Sequence, residues 1–139
     1  MIIADTGFWV AIFDSNDAYH KPALQAAKQL QEPLITTIPV LTEVCYLLQR
    51  RRGQHYVLGF LRSHRRQAFR IFTMDEQHIA RSEQLMHQYE SLPMDFADAS
   101  LVLLAEHLGH GRIFSTDQRD FCTYRWKNHH PFQNLLALK

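Results

Sequence analysis

The chain predicts an α/β fold, a central mostly parallel sheet of four to five strands flanked by helices, and three observations carry that expectation. Short apolar or β-branched runs alternate with segments of helical spacing along the whole chain. The first run, Met1-Ile2-Ile3-Ala4, is apolar at every position, as in a strand buried on both faces of a parallel sheet. It ends in Asp5, at the carboxyl end of a strand, where open α/β sheets place their ligand sites. A helix cap is the competing role for the same aspartate.

After the first strand, Gly7 allows a tight exit and residues 7–13 form a short helix. Asp14-Ser15-Asn16-Asp17 is a turn cluster, and a helix is expected roughly from Ala18 to Gln31, with Pro22 in its first turn or pushing its start later. Glu32-Pro33 breaks it before a second strand at Leu34–Thr37. Pro39 opens the next helix, where its missing N–H costs nothing, with Val40, Val44, Leu47 and Leu48 inward and Arg50-Arg51-Arg52-Gly53 at its end. Another helix follows from Gln54 to Arg65, then a strand at Phe69–Thr73. Asp75 caps a helix reaching Tyr89, with Ile79, Leu85 and Met86 on its apolar side. Asp95 to Ser100 leads into the strongly apolar Leu101–Ala105, a helix ending near Gly109. Arg112–Ser115 is the fourth strand, and Leu135–Leu138 is the candidate for an edge strand.

With 139 residues and 46% hydrophobic content the chain reads as one domain, residues 1–139, able to bury a real core. No apolar run approaches the roughly 20 residues of a membrane span, and the N-terminus lacks signal-peptide features. The expectation is a cytoplasmic protein with no membrane contact. Cys45 and Cys122 have no metal-site spacing. The net charge of +1 hides an asymmetry. Residues 50–70 hold seven arginines and no acid, leaving eight basic residues against fourteen acids elsewhere, a balance of −6.

Four acids occupy equivalent addresses. Asp5 and Asp117 follow strands, while Glu43 and Asp98 lie in or near first helical turns. Right-handed crossovers bring such positions to one edge of a parallel sheet. Carboxylates sharing a cleft raise each other's pKa unless a cation neutralises them, and hard oxygen donors suit Mg²⁺ or Mn²⁺. Attack of water on a phosphodiester is chemistry that such a site performs well. Taken singly, Asp95 and Asp117 also fit as helix caps, and Glu43 as an acid answering a helix dipole.

Ile2-Ile3-Ala4-Asp5-Thr6, Thr42-Glu43-Val44, Asp95-Phe96-Ala97-Asp98-Ala99 and Ser115-Thr116-Asp117-Gln118-Arg119-Asp120-Phe121 resemble, in order and over nearly the whole chain, the four acidic motifs of PIN-domain proteins. They most resemble VapC-type ribonuclease toxins of toxin–antitoxin pairs. The resemblance implies a PIN-like three-layer sandwich and an acidic quartet of Asp5, Glu43, Asp98 and Asp117. Asp5 and Asp98 would be the direct metal ligands, and Glu43, Asp117 and Asp95 weaker ones. Thr6 and Thr116 would be supporting hydroxyls, with Asp120 a lesser supporting candidate. It also implies Mg²⁺- or Mn²⁺-dependent cleavage of RNA leaving a 5′-phosphate and a 3′-hydroxyl, a homodimer, and inhibition by a small antitoxin.

Arg50, Arg51, Arg52, Arg62, Arg65, Arg66 and Arg70 form the candidate RNA-binding surface, since arginine forks suit phosphates. A solvated helical hairpin or a contact for an acidic partner are the alternatives. Two rival functions fit poorly. Haloacid-dehalogenase-like phosphatases place a second Asp two residues after the first, where this chain has Gly7. Receiver domains need a pair of acids near the first strand, and Ile3-Ala4 precede Asp5 here. A catalytically idle PIN scaffold that binds RNA or protein is the remaining alternative.

Overall fold

The computed structural model of the chain describes residues 1–136. Its strands are β1 (Ile2–Ala4), β2 (Leu34–Thr37), β3 (Phe69–Phe72), β4 (Arg112–Phe114), β5 (Arg125–Trp126), β6 (His130–Pro131) and β7 (Gln133–Asn134). Five of them form one sheet in the order β3-β2-β1-β4-β7, with every neighbouring pair parallel. β1 is central, which is why Ile2, Ile3 and Ala4 are all buried. The expected α/β architecture is therefore present, and the carboxyl ends of β1, β2 and β4 lie along one edge.

The helices are α1 (Thr6–Phe13), α2 (His20–Lys28), α3 (Ile38–Arg52), α4 (Gln54–Arg65), α5 (Gln77–Gln88), α6 (Phe96–Leu108) and α7 (Gln118–Thr123). α1 packs on α2 and α3, α3 on α4, and α5 on α6. Phe8 stacks on Phe114 of β4 at 5.0 Å, and Trp9, Phe60 and Phe69 form an aromatic cluster that joins α1, α4 and β3. Burial of these rings and of the aliphatic side chains around Ile3 supplies the main driving force for the fold. Among the described residues no helix is long and apolar enough to cross a membrane.

Several expected elements shift. The helix expected over 18–31 spans only His20–Lys28. Its start is delayed because Asp14 and Asp17 accept backbone N–H bonds from Asn16 (3.0 Å) and Tyr19 (2.9 Å), which keeps the preceding segment in turns. In α5, Glu76 takes the cap position expected for Asp75, although Asp75 still accepts from the Gln77 N–H at 3.0 Å. Ile79, expected inward, is 58% exposed.

The edge strand also lies earlier than expected. β7 is the polar pair Gln133-Asn134, and Ala137 and Leu138 lie outside the described residues. Polar residues serve there because the Asn134 side chain supplements the pairing: its Oδ1 accepts from the Ser115 N–H (3.1 Å) and its Nδ2 donates to the Ser115 carbonyl (2.9 Å). Gly7 has a different role from the one expected. It lies within the first turn of α1, and a Cβ there would collide with the Thr116 side chain. Its missing side chain lets the loop after β4 approach the start of α1.

Candidate functional site

Three of the acids begin as helix caps. Asp5 accepts from the Phe8 N–H (3.0 Å), Asp95 from the Asp98 N–H (2.8 Å) and Asp117 from the Asp120 N–H (3.0 Å). Capping fixes each side chain at the first turn of its helix. For Asp5 and Asp117 it also places the carboxylate at the carboxyl edge of the sheet. Capping and site formation coincide at these two positions.

A cleft of about 320 Å³ opens along that edge. All four acids of the expected quartet, Asp5, Glu43, Asp98 and Asp117, line it, together with Thr6 and Thr116. The junction of β1 and α1, helix α3, helix α6 and the loop after β4 each contribute one carboxylate. The helices carrying Glu43 and Asp98 are joined directly: Thr37, which caps α3, shares a 2.6 Å hydrogen bond with Ser100 of α6. Asp95 and Asp120 are not part of the lining. Asp95 borders a neighbouring hollow, and Asp120 is buried at the start of α7 beside Arg119.

The cleft is short of positive charge, and the acids respond. Burial pushes Asp5 up to about 7; the Ser115 and Phe8 hydrogen bonds oppose this, while Asp117 and Glu43 add to it. Burial likewise pushes Asp98 up to about 7, reinforced by the charge of Asp95 and opposed by the Tyr124 hydroxyl. Glu43 is raised by burial and by Asp95, against a hydrogen bond from Thr6. Asp117 is raised by burial and by Asp120, against the backbone bond it accepts. At 1.4 kcal/mol per tenfold, ionising Asp5 in place costs on the order of 4 kcal/mol more than in water. A divalent cation offsets such a cost better than any monovalent side chain.

The donor set is all oxygen, as Mg²⁺ and Mn²⁺ prefer. Among the described residues no three His, Cys, Asp or Glu side chains are gathered so that they could hold an ion by themselves. Mg²⁺ is held by one or two carboxylates and keeps waters and substrate phosphates in its other positions.

Three supporting residues escaped the sequence. The Tyr124 hydroxyl donates to Asp98 Oδ2 at 3.0 Å; its ring is fully buried between Tyr89 and Phe121. The Ser115 hydroxyl donates to Asp5 Oδ2 and accepts from the Asp117 N–H at 2.9 Å, linking two acids of the quartet. Asn134 in turn clamps the Ser115 backbone. An aromatic or amide far along the chain carries no local signal of such a role.

The basic block divides. Arg51 alone of its seven arginines lines the cleft, where its Nη1 pairs with Asp17 at 2.9 Å and Asp14 at 3.6 Å. Arg52 donates to Asp14 (3.0 Å) and to the Tyr56 hydroxyl (2.8 Å), and Arg50 to the Tyr46 hydroxyl (3.1 Å). Arg62, Arg65, Arg66 and Arg70 are exposed, and the last three flank the amino end of β3, at the sheet edge opposite the cleft.

Comparison with known proteins follows the same outline. The family model described as PIN domain matches residues 2–127. Ribonuclease VapC26 of Mycobacterium tuberculosis is 25% identical over 124 residues, covering 89% of this chain and 92% of the relative. The crystal structure of Mycobacterium tuberculosis VapC20, described as a sarcin-ricin loop cleaving toxin, superposes with a TM-score of 0.79 at 21% identity. That match covers 86% of this chain and 92% of the other.

Proposed function

The chain belongs to the PIN domain family, and from that premise we propose that it is a metal-dependent endoribonuclease of the VapC toxin type. The single observation behind this is the cleft: four carboxylates from four elements, raised by burial and mutual repulsion, at the carboxyl edge of a parallel sheet. The similarity to a relative named a ribonuclease supports RNA as the substrate.

Asp5 and Asp98 are the proposed direct ligands, the two most strongly raised acids of the cleft. When bound, Mg²⁺ or Mn²⁺ supplies a Lewis acid for the scissile phosphate and lowers the pKa of the attacking water. Ser115 holds one oxygen of Asp5 in place, and Tyr124 one oxygen of Asp98. Glu43 and Asp117 would hold water in the cleft, and the Thr6 hydroxyl hydrogen-bonds Glu43. Thr116 borders the same space as a further hydroxyl donor. Water adds to phosphorus and the 3′-oxygen leaves, so the products carry a 5′-phosphate and a 3′-hydroxyl.

The toxin role brings a small antitoxin and a homodimer with it. An apolar hollow formed by Ile38, Pro39, Tyr46 and Phe96, sharing Glu43 and Ala97 with the cleft, supports a protein contact beside the site. Ile38 is 55% and Tyr46 59% exposed there, a cost that a protein partner removes.

The test is cleavage of a structured RNA with Mg²⁺, with Mn²⁺ and with EDTA, followed by end-group mapping. Cleavage only with metal, leaving 5′-phosphates, is the expected result. Cyclic 2′,3′-phosphate ends, or full activity in EDTA, would sink the mechanism. RNA binding without cleavage under any metal would leave the idle scaffold.

A further inference from the structure

The candidate cleft extends beyond its acids. Glu43, Leu47 and Arg51 follow one another at one-turn intervals along α3, and all three line it. Eight residues of helix span about 12 Å, so the lining runs from the carboxylates to a separate outer part. Asp17, paired with Arg51, and Tyr19 two residues further on line the cleft as well. Tyr19 lines the cleft and is 39% exposed.

The turn that carries Tyr19 is braced. Arg51 holds Asp17, and Arg52 holds Asp14, so two consecutive arginines of α3 tie the segment between α1 and α2 to the cleft wall. Asp17 Oδ1 also accepts from the Tyr19 N–H at 2.9 Å, and the His20 ring bonds the Ala11 carbonyl at 2.6 Å on its other side. So braced a backbone loses little freedom when a ligand settles against it. Arg51 uses only Nη1 in its ion pairs among the described residues, which leaves its other guanidinium donors unassigned.

We infer that Tyr19 and Arg51 form a nucleotide subsite in which an unpaired base stacks on the Tyr19 ring while its phosphate neighbour lies at the carboxylates. This rests on the ribonuclease function proposed above and adds the binding determinant that function lacks. Carboxylates offer no face to a base, so affinity for the base must come from elsewhere. An aromatic face supplies it without charge, and a guanidinium beside it reads a base edge or stacks in turn. A cleft of about 320 Å³ lies at the small end of ligand cavities, which run roughly 300–1,000 Å³. It is of a size for one nucleotide.

The experiment is single-turnover cleavage of a labelled hairpin RNA in Mn²⁺ at varied protein concentration, for the native chain, Tyr19→Ala and Tyr19→Phe. Tyr19→Ala should raise the half-saturating protein concentration about tenfold, as loss of one base stack does, and affect the plateau rate much less. Tyr19→Phe should recover most of the lost affinity, because the ring rather than the hydroxyl makes the stack. Calorimetric Mn²⁺ affinity should match the native chain in both variants. Saturation of Tyr19→Ala at the native concentration, equal losses in both variants, or a loss confined to the plateau rate would each overturn the subsite while leaving the nuclease intact. A native chain that cleaves no RNA with Mn²⁺ would overturn the function itself, and the subsite with it.

Discussion

Glu32 and Asp98 are both carboxylates near the ends of the sheet, and the protein treats them in opposite ways. At the amino edge, Glu32 receives both outer nitrogens of Arg112 (2.7 and 2.8 Å) and the N-terminal amine (2.9 Å), which hold its carboxyl down at about 2. At the carboxyl edge, burial and neighbouring acids push Asp98 and Asp5 up to about 7. The chain has cations enough to neutralise both edges, yet of the arginines between residues 50 and 70 only Arg51 reaches the cleft, and it pairs with Asp14 and Asp17. Glu32 is neutralised by cations, whereas Asp5 and Asp98 are left crowded without one, the pattern that marks them as candidates for a site.

The contrast is sharpest in substitutions at the carboxyl edge. Asp5→Asn or Asp98→Asn should reduce RNA cleavage by a factor on the order of 100 or more, since charge at a preorganised site is lost. The melting temperature should hold or rise, because carboxylate repulsion is relieved. Gel assay and thermal melting measure the two. A cleaving Asp98→Asn would remove Asp98 from the site.

A smaller effect is expected one step back from the acids. Tyr124→Phe keeps the ring between Tyr89 and Phe121 and removes the donor to Asp98. Loss of a partner that orients a ligand costs roughly tenfold to a hundredfold in metal affinity, and the lower figure is expected here. Calorimetry with Mn²⁺ measures it. An unchanged affinity would mean that the hydrogen bond is incidental.

Stability against pH separates the two edges by sign. Folded, Asp5 and Asp98 keep their protons to about pH 7; unfolded, they ionise near the ordinary value of 3.8. Between those values the folded state binds more protons, so stability falls as pH rises. Glu32 acts in the other sense: its contribution is complete above its ordinary value of 4.5 and is lost only as pH falls toward 2. The metal-free melting temperature should therefore decline from pH 5 to pH 8, and Mn²⁺ at pH 8 should restore it. A flat metal-free profile would contradict the raised acids.

The smallest effect belongs to the amino edge. Arg112→Gln removes a partly exposed ion cluster, so melting should drop only slightly and cleavage should stay at the native level. A loss of cleavage would show that the two edges are coupled.

The four acids were legible because each carries a local sign: Asp5 and Asp117 follow apolar strands, and Glu43 and Asp98 sit early in patterned helices. Their supports were not. Ser115 reaches Asp5 across 110 positions and Tyr124 reaches Asp98 across 26, and no periodicity links such pairs. The arginine block was legible as charge but not as place. Strand direction decides that Arg65, Arg66 and Arg70 flank the amino end of β3 while Arg51 reaches the cleft. The edge strand was misplaced for a related reason: Asn134 pairs through its side chain as well as its backbone, a geometry that hydropathy does not encode.

The most direct test of the carboxylate edge as a cation site is calorimetric titration of Mn²⁺ into the native chain and into Asp5→Asn/Asp98→Asn at pH 7.5 and pH 6. The native chain should bind at pH 7.5 and more weakly at pH 6, where protons compete for the same oxygens. The double variant should bind neither way while remaining folded by circular dichroism. Equal Mn²⁺ binding by the folded double variant would contradict the site.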